Sequence, residues 1–185
     1  MRVAALYDIH GNLPALEAVL AEVEAASLDL VVVGGDVGPG PMVDAVLDRL
    51  AAFGDRARYV MGNGDRELVS AFDREGYGRD TPWALTAWCA ERLTPEHRDM
   101  LAGFEPVVSV DAVQFCHGSP RSDTEIITAV SPEAHLAPCS RASTTTSTSA
   151  ATPTTSSTEV MLHQSLYEPV GAAWVARHFA SLATD

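Results

Sequence analysis

The sequence predicts an α/β domain with a largely parallel sheet, and three observations support that prediction. Short apolar runs alternate with stretches whose apolar residues recur at helical spacing. Some of these runs are continuously apolar, as expected of strands that are covered on both faces. The chain has 185 residues, of which 46% are hydrophobic, so it can bury one core and is short for two. We therefore expect a single domain over residues 1–185.

The first elements follow from the order of apolar and polar segments. "RVAALYD" predicts a strand, and the apolar residues from Leu13 to Val23 then recur at helical spacing. "LDLVVVGGD" predicts a second strand, followed by a helix over "PMVDAVLDRLAAF" with Pro41 at its start. "ARYVMGNGD" repeats the pattern. Strands that alternate with helices imply right-handed crossovers and parallel pairing.

Two helices and two strands are predicted further along the chain. Residues 81–104 contain two short helical segments separated at Thr94-Pro95, each preceded by a threonine that can cap its first turn. "PVVSVDAVQFCHGSP" then predicts two strands that meet near Asp111, the second ending at His117.

Polar side chains collect where these strands end. Asp8 and His10 follow the first strand, Asp36 the second, Asn63 the third, and His117 the later strand. In an open α/β sheet, ligands bind in the loops beyond the carboxyl ends of the strands. Carboxylate, imidazole and amide donors suit a divalent cation such as Mn, Fe, Co, Ni or Zn. The five residues are therefore candidate ligands of one metal site.

Each of these residues also has an ordinary structural explanation. Asp8 or Asn12 can cap a helix, "GNG" is a common turn, and His117 can be a hydrogen-bonded histidine without further role. The functional interpretation depends on the joint order and placement of all the blocks.

That order, "DIHGN", "GGDVGPGP", "GNGD" and "CHGSP", resembles the calcineurin-like metallophosphoesterases, most closely their small bacterial single-domain members. The resemblance extends from Met1 to about Pro138. It implies a β-sandwich of two sheets flanked by helices, the αββα architecture. It also implies metal-dependent hydrolysis of phosphoesters, as a phosphodiesterase or a phosphatase.

The resemblance further implies a role for each candidate ligand. Asp8 and His10 would hold one metal, Asp36 would bridge two, and Asn63 and His117 would hold the second. Two divalent ions, with Mn favoured, can activate water and clamp the oxygens of a phosphate. The implied partner is a small phosphoester.

Three neighbouring positions bear on catalysis. Arg66 and Arg121 lie close to the proposed ligands in sequence and are candidates for binding a substrate phosphate, with ordinary salt bridges as the alternative. Gly64 stands where many family members have a histidine that can protonate the leaving group. Glycine cannot donate a proton, so no side chain is assigned as a general acid.

A larger departure lies between residues 139 and 166, a Ser- and Thr-rich segment without apolar periodicity. The family has two further histidine ligands there, in a Gly-His-x-His block, and this sequence has no such block. His163 and His178 lack the block's spacing and are interpreted as non-ligands. The segment is either a true low-complexity linker or the product of a shifted reading frame.

The frameshift hypothesis has support in the codons that "ATPT", Ala151 to Thr154, permits. The bases GGC-CAC-ACC-CAC encode Gly-His-Thr-His, and read one base later they encode Ala-Thr-Pro. A base lost near Pro138 and a second change before about Tyr167 would account for the segment. The chain as translated would lack one core strand and two ligands, bind metals poorly and be marginally stable.

Composition limits the remaining possibilities. The net charge of -13 disfavours binding to nucleic acid, and the three cysteines have no metal-ligand spacing and suit a reducing cytoplasm. No apolar run is long enough for a membrane span. A homo-oligomer is compatible with the sequence. The alternative function is a non-catalytic, protein-binding scaffold of the same fold.

Overall fold

The predicted α/β class is confirmed by the computed structural model. It describes residues 1–74, 76–111, 113–126, 131–132 and 134, together with the backbone of Glu159–His163. The elements are β1 Arg2–Leu6, α1 Leu13–Ala25, β2 Leu30–Val33, α2 Val43–Ala51, β3 Ala57–Tyr59, α3 Asn63–Phe72, α4 Ala84–Ala90, α5 Pro95–Ala102, β4 Val107–Val110, β5 Val113–Cys116 and β6 Glu159–His163.

The larger sheet is parallel throughout, as predicted. Its strand order is β3-β2-β1-β6, and Leu6 near the end of β1 lies opposite Val33 of β2. Because the strands run in one direction, the loops after β1, β2 and β3 emerge at the same edge of the sheet. This edge brings together residues that are far apart in sequence.

The two faces of the larger sheet are covered by different layers. Ala4 and Leu6 of β1 pack into a core shared with the helices. The alternate residues, Val3 and Ala5, pack against the antiparallel β4–β5 sheet, which contributes Phe115. Alternation along a strand explains this division. The described chain is therefore a helical layer packed on two stacked sheets, and the prediction of two sheets is confirmed.

The helical layer owes its position to amphipathic spacing. Helix α1 begins at an Asn12 cap, whose side-chain oxygen accepts a hydrogen bond from the Ala15 N–H at 3.2 Å. Leu16, Leu20 and Val23 then bury one stripe of the helix. The capping explanation for Asn12 is therefore correct.

One expectation about the Ser- and Thr-rich segment is wrong. The sequence predicted that the chain lacks a core strand there, but β6 pairs with β1 along its whole length. His163 lies opposite Leu6, and Leu6 precedes the proposed ligand Asp8 by two residues. Residues 139–158 and 164–185, including the proposed hidden block and His178, lie outside the described residues.

Within the part of the chain that the structure describes, every helix is too short or too polar to cross a bilayer.

Candidate metal centre

The loops after β1 and β2 are joined by backbone hydrogen bonds. The N–H of Asp8 donates to the carbonyl oxygen of Gly35 at 3.2 Å, and that of His10 donates to the carbonyl oxygen of Asp36 at 3.0 Å. These bonds extend the pairing of β1 and β2 beyond the ends of the strands. They fix the backbone from which three of the predicted ligands project.

The same three ligands have unusual backbone angles. The φ angle is 55° at Asp8, 46° at His10 and 54° at Asp36. L-residues rarely adopt this left-handed conformation, which costs about 1–2 kcal/mol, although aspartate tolerates it better than most. Strained residues of this kind persist only where the surrounding structure holds them in place, and they cluster at functional sites. The clustering of three such angles supports a functional role for these loops.

The side chains of Asp8, His10 and Asp36 converge. One potential ligand atom from each lies within 4.8 Å of the others. His10 Nε2 is 4.0 Å from Asp8 Oδ1 and 3.7 Å from Asp36 Oδ2. These separations exceed a hydrogen bond and are short enough for the three atoms to share one cation.

His117 approaches the same carboxylate from the other side. Its Nε2 lies 3.5 Å from Asp36 Oδ1, while its Nδ1 lies 3.1 Å from the carbonyl oxygen of Gly34. A carbonyl only accepts, so Nδ1 carries the proton, and in the neutral ring Nε2 presents a lone pair to the carboxylate. Two acceptors that face each other in this way fit a cation between them. The donor set therefore suits divalent metal.

Burial gives Asp36 a distinct electrostatic position. The residue is 7% exposed, and this burial raises the pKa of its carboxyl above the ordinary value. The nearby His117, the backbone N–H of Gly64 and His10 oppose the rise, whereas Asp8 adds to it. A buried carboxylate next to another carboxylate favours positive charge nearby.

Asn63 differs from the expectation that all five ligands lie in loops. It is the first residue of α3, and its side chain hydrogen-bonds Glu67 one turn later. Its neighbour Gly64 donates a backbone N–H to Asp36 Oδ1 at 2.8 Å. The start of α3 thus contacts the site through Gly64, and the assignment of Asn63 as a ligand stays a prediction.

Asp65 is a site residue that the sequence interpretation missed. It is fully buried, and its carboxylate accepts hydrogen bonds from the backbone N–H groups of Asp36, Val37, Gly38 and Gly62. Burial, and then the charge of Asp36, raise the pKa of its carboxyl above the ordinary value, while the backbone donors oppose the rise. The signal available in the sequence was an acidic residue in the first turn of a helix that follows a glycine.

Both candidate phosphate-binding arginines form ion pairs. Arg66 Nε lies 2.7 Å from Asp123 Oδ2, and Arg121 Nε donates to Glu125 Oε2 at 2.7 Å. Both acidic partners belong to the loop that follows His117. The salt-bridge alternative is therefore present at each arginine, and substrate binding by either stays a prediction.

Comparison with known proteins decides the family. A sequence model described as the calcineurin-like phosphoesterase superfamily domain matches residues 1–142. The chain belongs to the calcineurin-like phosphoesterase superfamily. The resemblance noted from the four sequence blocks is thereby confirmed.

A solved structure supports the same assignment. A metallophosphoesterase from Sphaerobacter thermophilus is 25% identical to this chain, with a TM-score of 0.58. The similarity covers 76% of this chain and 55% of the Sphaerobacter protein, so this chain spans little more than half of that protein's length. No curated protein sequence matches the chain.

The family match covers only part of the chain. The match ends at residue 142, inside the segment 139–166 that lacks the expected pattern. The four blocks that carry the proposed ligands all lie before that point. The site described above is thus built from the part of the chain that matches the family.

Proposed function

We propose that this site hydrolyses phosphoesters with two divalent metal ions, Mn favoured, held by Asp8, His10, Asp36, Asn63 and His117. One observation carries the proposal. Asp36 presents Oδ2 to His10 at 3.7 Å and Oδ1 to His117 at 3.5 Å, the arrangement suited to a carboxylate shared by two cations. The family assignment supports the same reaction class.

The residues of the chain have separable tasks in this proposal. Asp36, His10 and His117 would bind the cations at the sheet edge. The carbonyl of Gly34 keeps the His117 ring oriented. When bound, two divalent ions polarise phosphate oxygens and activate water. A centre of positive charge also allows a protein of net charge -13 to attract an anionic substrate.

The activity of this particular chain is proposed to be impaired. It lacks a Gly-His-x-His block, and the family match stops where that block is expected to follow. We propose that residues 139–166 arose from a shifted reading frame that once encoded the block within a single domain. Sequencing of the DNA around codons 136 to 168 tests this: an open shifted frame without Gly-His-x-His contradicts it.

The proposed activity is tested with the chain as given and with a version restored to the shifted frame. Each is assayed with bis-p-nitrophenyl phosphate and added Mn²⁺. We expect turnover by the restored chain and little by the chain as given. In the restored chain, Asp36→Asn should lower turnover at least ~10–100-fold, because the shared carboxylate is neutralised. Asp99→Asn removes an exposed carboxylate on α5 and serves as the matched control.

The same experiment separates the enzyme from a scaffold. No turnover by either chain with Mn²⁺, Co²⁺, Ni²⁺, Fe²⁺ or Zn²⁺ contradicts the proposed function. A stable complex with another protein in that case favours the non-catalytic scaffold of the same fold.

A further inference from the structure

The carboxylate of Asp65 accepts hydrogen bonds from the backbone of the loop that carries Asp36. Its Oδ2 accepts the N–H of Asp36 at 2.9 Å and that of Gly62 at 3.1 Å. Its Oδ1 accepts the N–H of Val37 at 2.9 Å and that of Gly38 at 3.3 Å. One fully buried side chain therefore fixes three consecutive amides after β2 and joins them to the start of α3.

These contacts act on a residue whose backbone is strained. Asp36 has a φ of 54°, and the N–H bond to Asp65 restrains it in that conformation. Turning the peptide would rotate the Asp36 side chain away from His10 and His117. The hydrogen bonds of Asp65 thus oppose the motion that would separate the three side chains.

Close packing restrains Asp36 from a second direction. A Cβ placed on Gly62 would lie 2.3 Å from both the N atom and Oδ1 of Asp36, so a glycine is needed for this approach. Gly62 is itself bound to Asp65 through its N–H at 3.1 Å. The carboxylate of Asp65 therefore sets both the backbone of Asp36 and the surface against which Asp36 packs.

We propose that Asp65 is a positioning residue that holds Asp36 between His10 and His117, and that it acts on metal affinity only through Asp36. Its role in metal binding rests on the proposed function, whereas its hold on the loop of Asp36 does not. Asp65 lies outside the proposed ligand set because its two oxygens are engaged by backbone N–H groups.

The test compares Asp65→Asn with a core variant of similar stability. Asparagine keeps one acceptor oxygen and turns the other atom into an N–H₂ group that cannot accept a backbone N–H. Leu101→Val truncates a fully buried side chain of α5, an element without any proposed ligand. If the drop in urea midpoint differs between the two, Leu101→Ala replaces the valine variant.

Two measurements are made on the wild type and on both variants. The first is amide hydrogen exchange at residues 36–38, together with the NMR shifts of the Asp36 carboxyl and the His117 ring. The second is the dissociation constant for Mn²⁺, measured under conditions in which all three proteins are folded.

In Asp65→Asn we expect exchange at these amides to accelerate at least 10-fold and the Asp36 and His117 signals to move. We expect Mn²⁺ affinity to fall ~10–100-fold, the range for loss of a group that orients a ligand.

The outcomes are distinguishable. Equal changes in Asp65→Asn and the leucine variant, at equal loss of midpoint, overturn the inference because the role would then be general stability. If the wild type binds no Mn²⁺, as its missing ligands allow, the exchange and shift data alone decide the positioning role. If the protein restored to the shifted frame also binds none, the proposed function fails. If Asp65→Asn does not fold, the wild type decides: amides 36–38 that exchange as fast as surface loops overturn the inference.

Discussion

Gly64 donates its backbone N–H to Asp36 Oδ1 over 2.8 Å, and it has no space for a side chain at that distance. A Cβ at this position would lie 2.2 Å from the carbonyl oxygen of Gly38 and 3.1 Å from Asp36 Oδ1. The local packing therefore leaves no room at position 64 for the histidine found in many superfamily members. The glycine permits the start of α3 to approach the loop after β2.

We expect the substitution Gly64→His to destabilise the protein. The added Cβ meets a backbone oxygen that cannot rotate away, and overpacking of this kind costs about 1–3 kcal/mol. Urea denaturation of the two proteins measures the difference in free energy of unfolding.

Gly64→Ala is the matched control because it adds the same Cβ without the ring. It should reproduce most of the loss. A Gly64→His protein that is as stable as the wild type, with unchanged amide shifts at Gly38, would contradict the expected clash.

The sequence allowed much of this site to be predicted, for reasons that concern backbone geometry. Parallel strands of alternating α/β units end at one edge, so placing Asp8, His10 and Asp36 after β1 and β2 sufficed to bring them together. His117 was included because it follows a predicted strand, but the sequence has no periodic signal for the stacking of β4–β5 on the larger sheet, which brings it to the site.

Other features could not be predicted from the pattern. The role of Asp65 depends on four amides from two separate loops, and no spacing in the sequence indicates such contacts. Strand β6 was also missed, because five residues within a Ser- and Thr-rich segment carry too weak a pattern. The ion pairs of Arg66 and Arg121 depend on the path of the loop after β5.

Any hydrolysis at this site should depend strongly on the leaving group. Gly64 cannot protonate a departing alkoxide, and a positioned general acid contributes typically ~10²–10⁴-fold. We expect kcat/KM for a p-nitrophenyl phosphoester to exceed that for the matching alkyl ester by much of the ratio of their uncatalysed rates, because no general acid assists the poorer leaving group. Equal values of kcat/KM for the two esters would mean that another group supplies the proton.

The chain as given should bind Mn²⁺ weakly. The sequence lacks the Gly-His-x-His block that supplies two further histidine ligands in the family, and loss of even an orienting group lowers metal affinity ~10–100-fold. After dialysis against buffer, elemental analysis should find well under two ions per chain, and more in the protein restored to the shifted frame. Two tightly held ions in the chain as given would contradict the proposed loss of ligands.

The pairing of Arg66 with Asp123 allows its two possible roles to be separated. Arg66 is about half exposed, so its ion pair should contribute at most ~1 kcal/mol to stability. If Arg66 binds a substrate phosphate in the restored protein, Arg66→Ala raises KM, while Asp123→Asn releases the guanidinium and leaves KM equal or lower. Equal KM values for the wild type and Arg66→Ala would assign the arginine to the surface salt bridge alone.

Tyr59 should make the stability of the protein fall at alkaline pH. Burial raises its pKa from 10.0 to about 12, and its hydroxyl donates to the carbonyl oxygen of Leu50 at 2.8 Å. The folded state therefore retains the phenolic proton more strongly than the unfolded state does. The resulting stabilisation is complete below pH 10 and is lost as the pH rises through 12. We expect a loss of about 1–2 kcal/mol, less than the full shift implies because water partly screens the phenolate.

Tyr59→Phe tests this assignment directly. Phenylalanine keeps the ring that stacks on Phe104 at a centroid distance of 4.9 Å but has no proton to lose. At pH 8 the variant should be less stable by about 1 kcal/mol, the contribution of the lost hydrogen bond. Its stability should then fall less steeply above pH 10, although Tyr7, whose pKa burial also raises to about 12, still contributes. Urea denaturation between pH 8 and 11.5 gives both curves, and parallel curves would show that Tyr59 does not cause the alkaline loss.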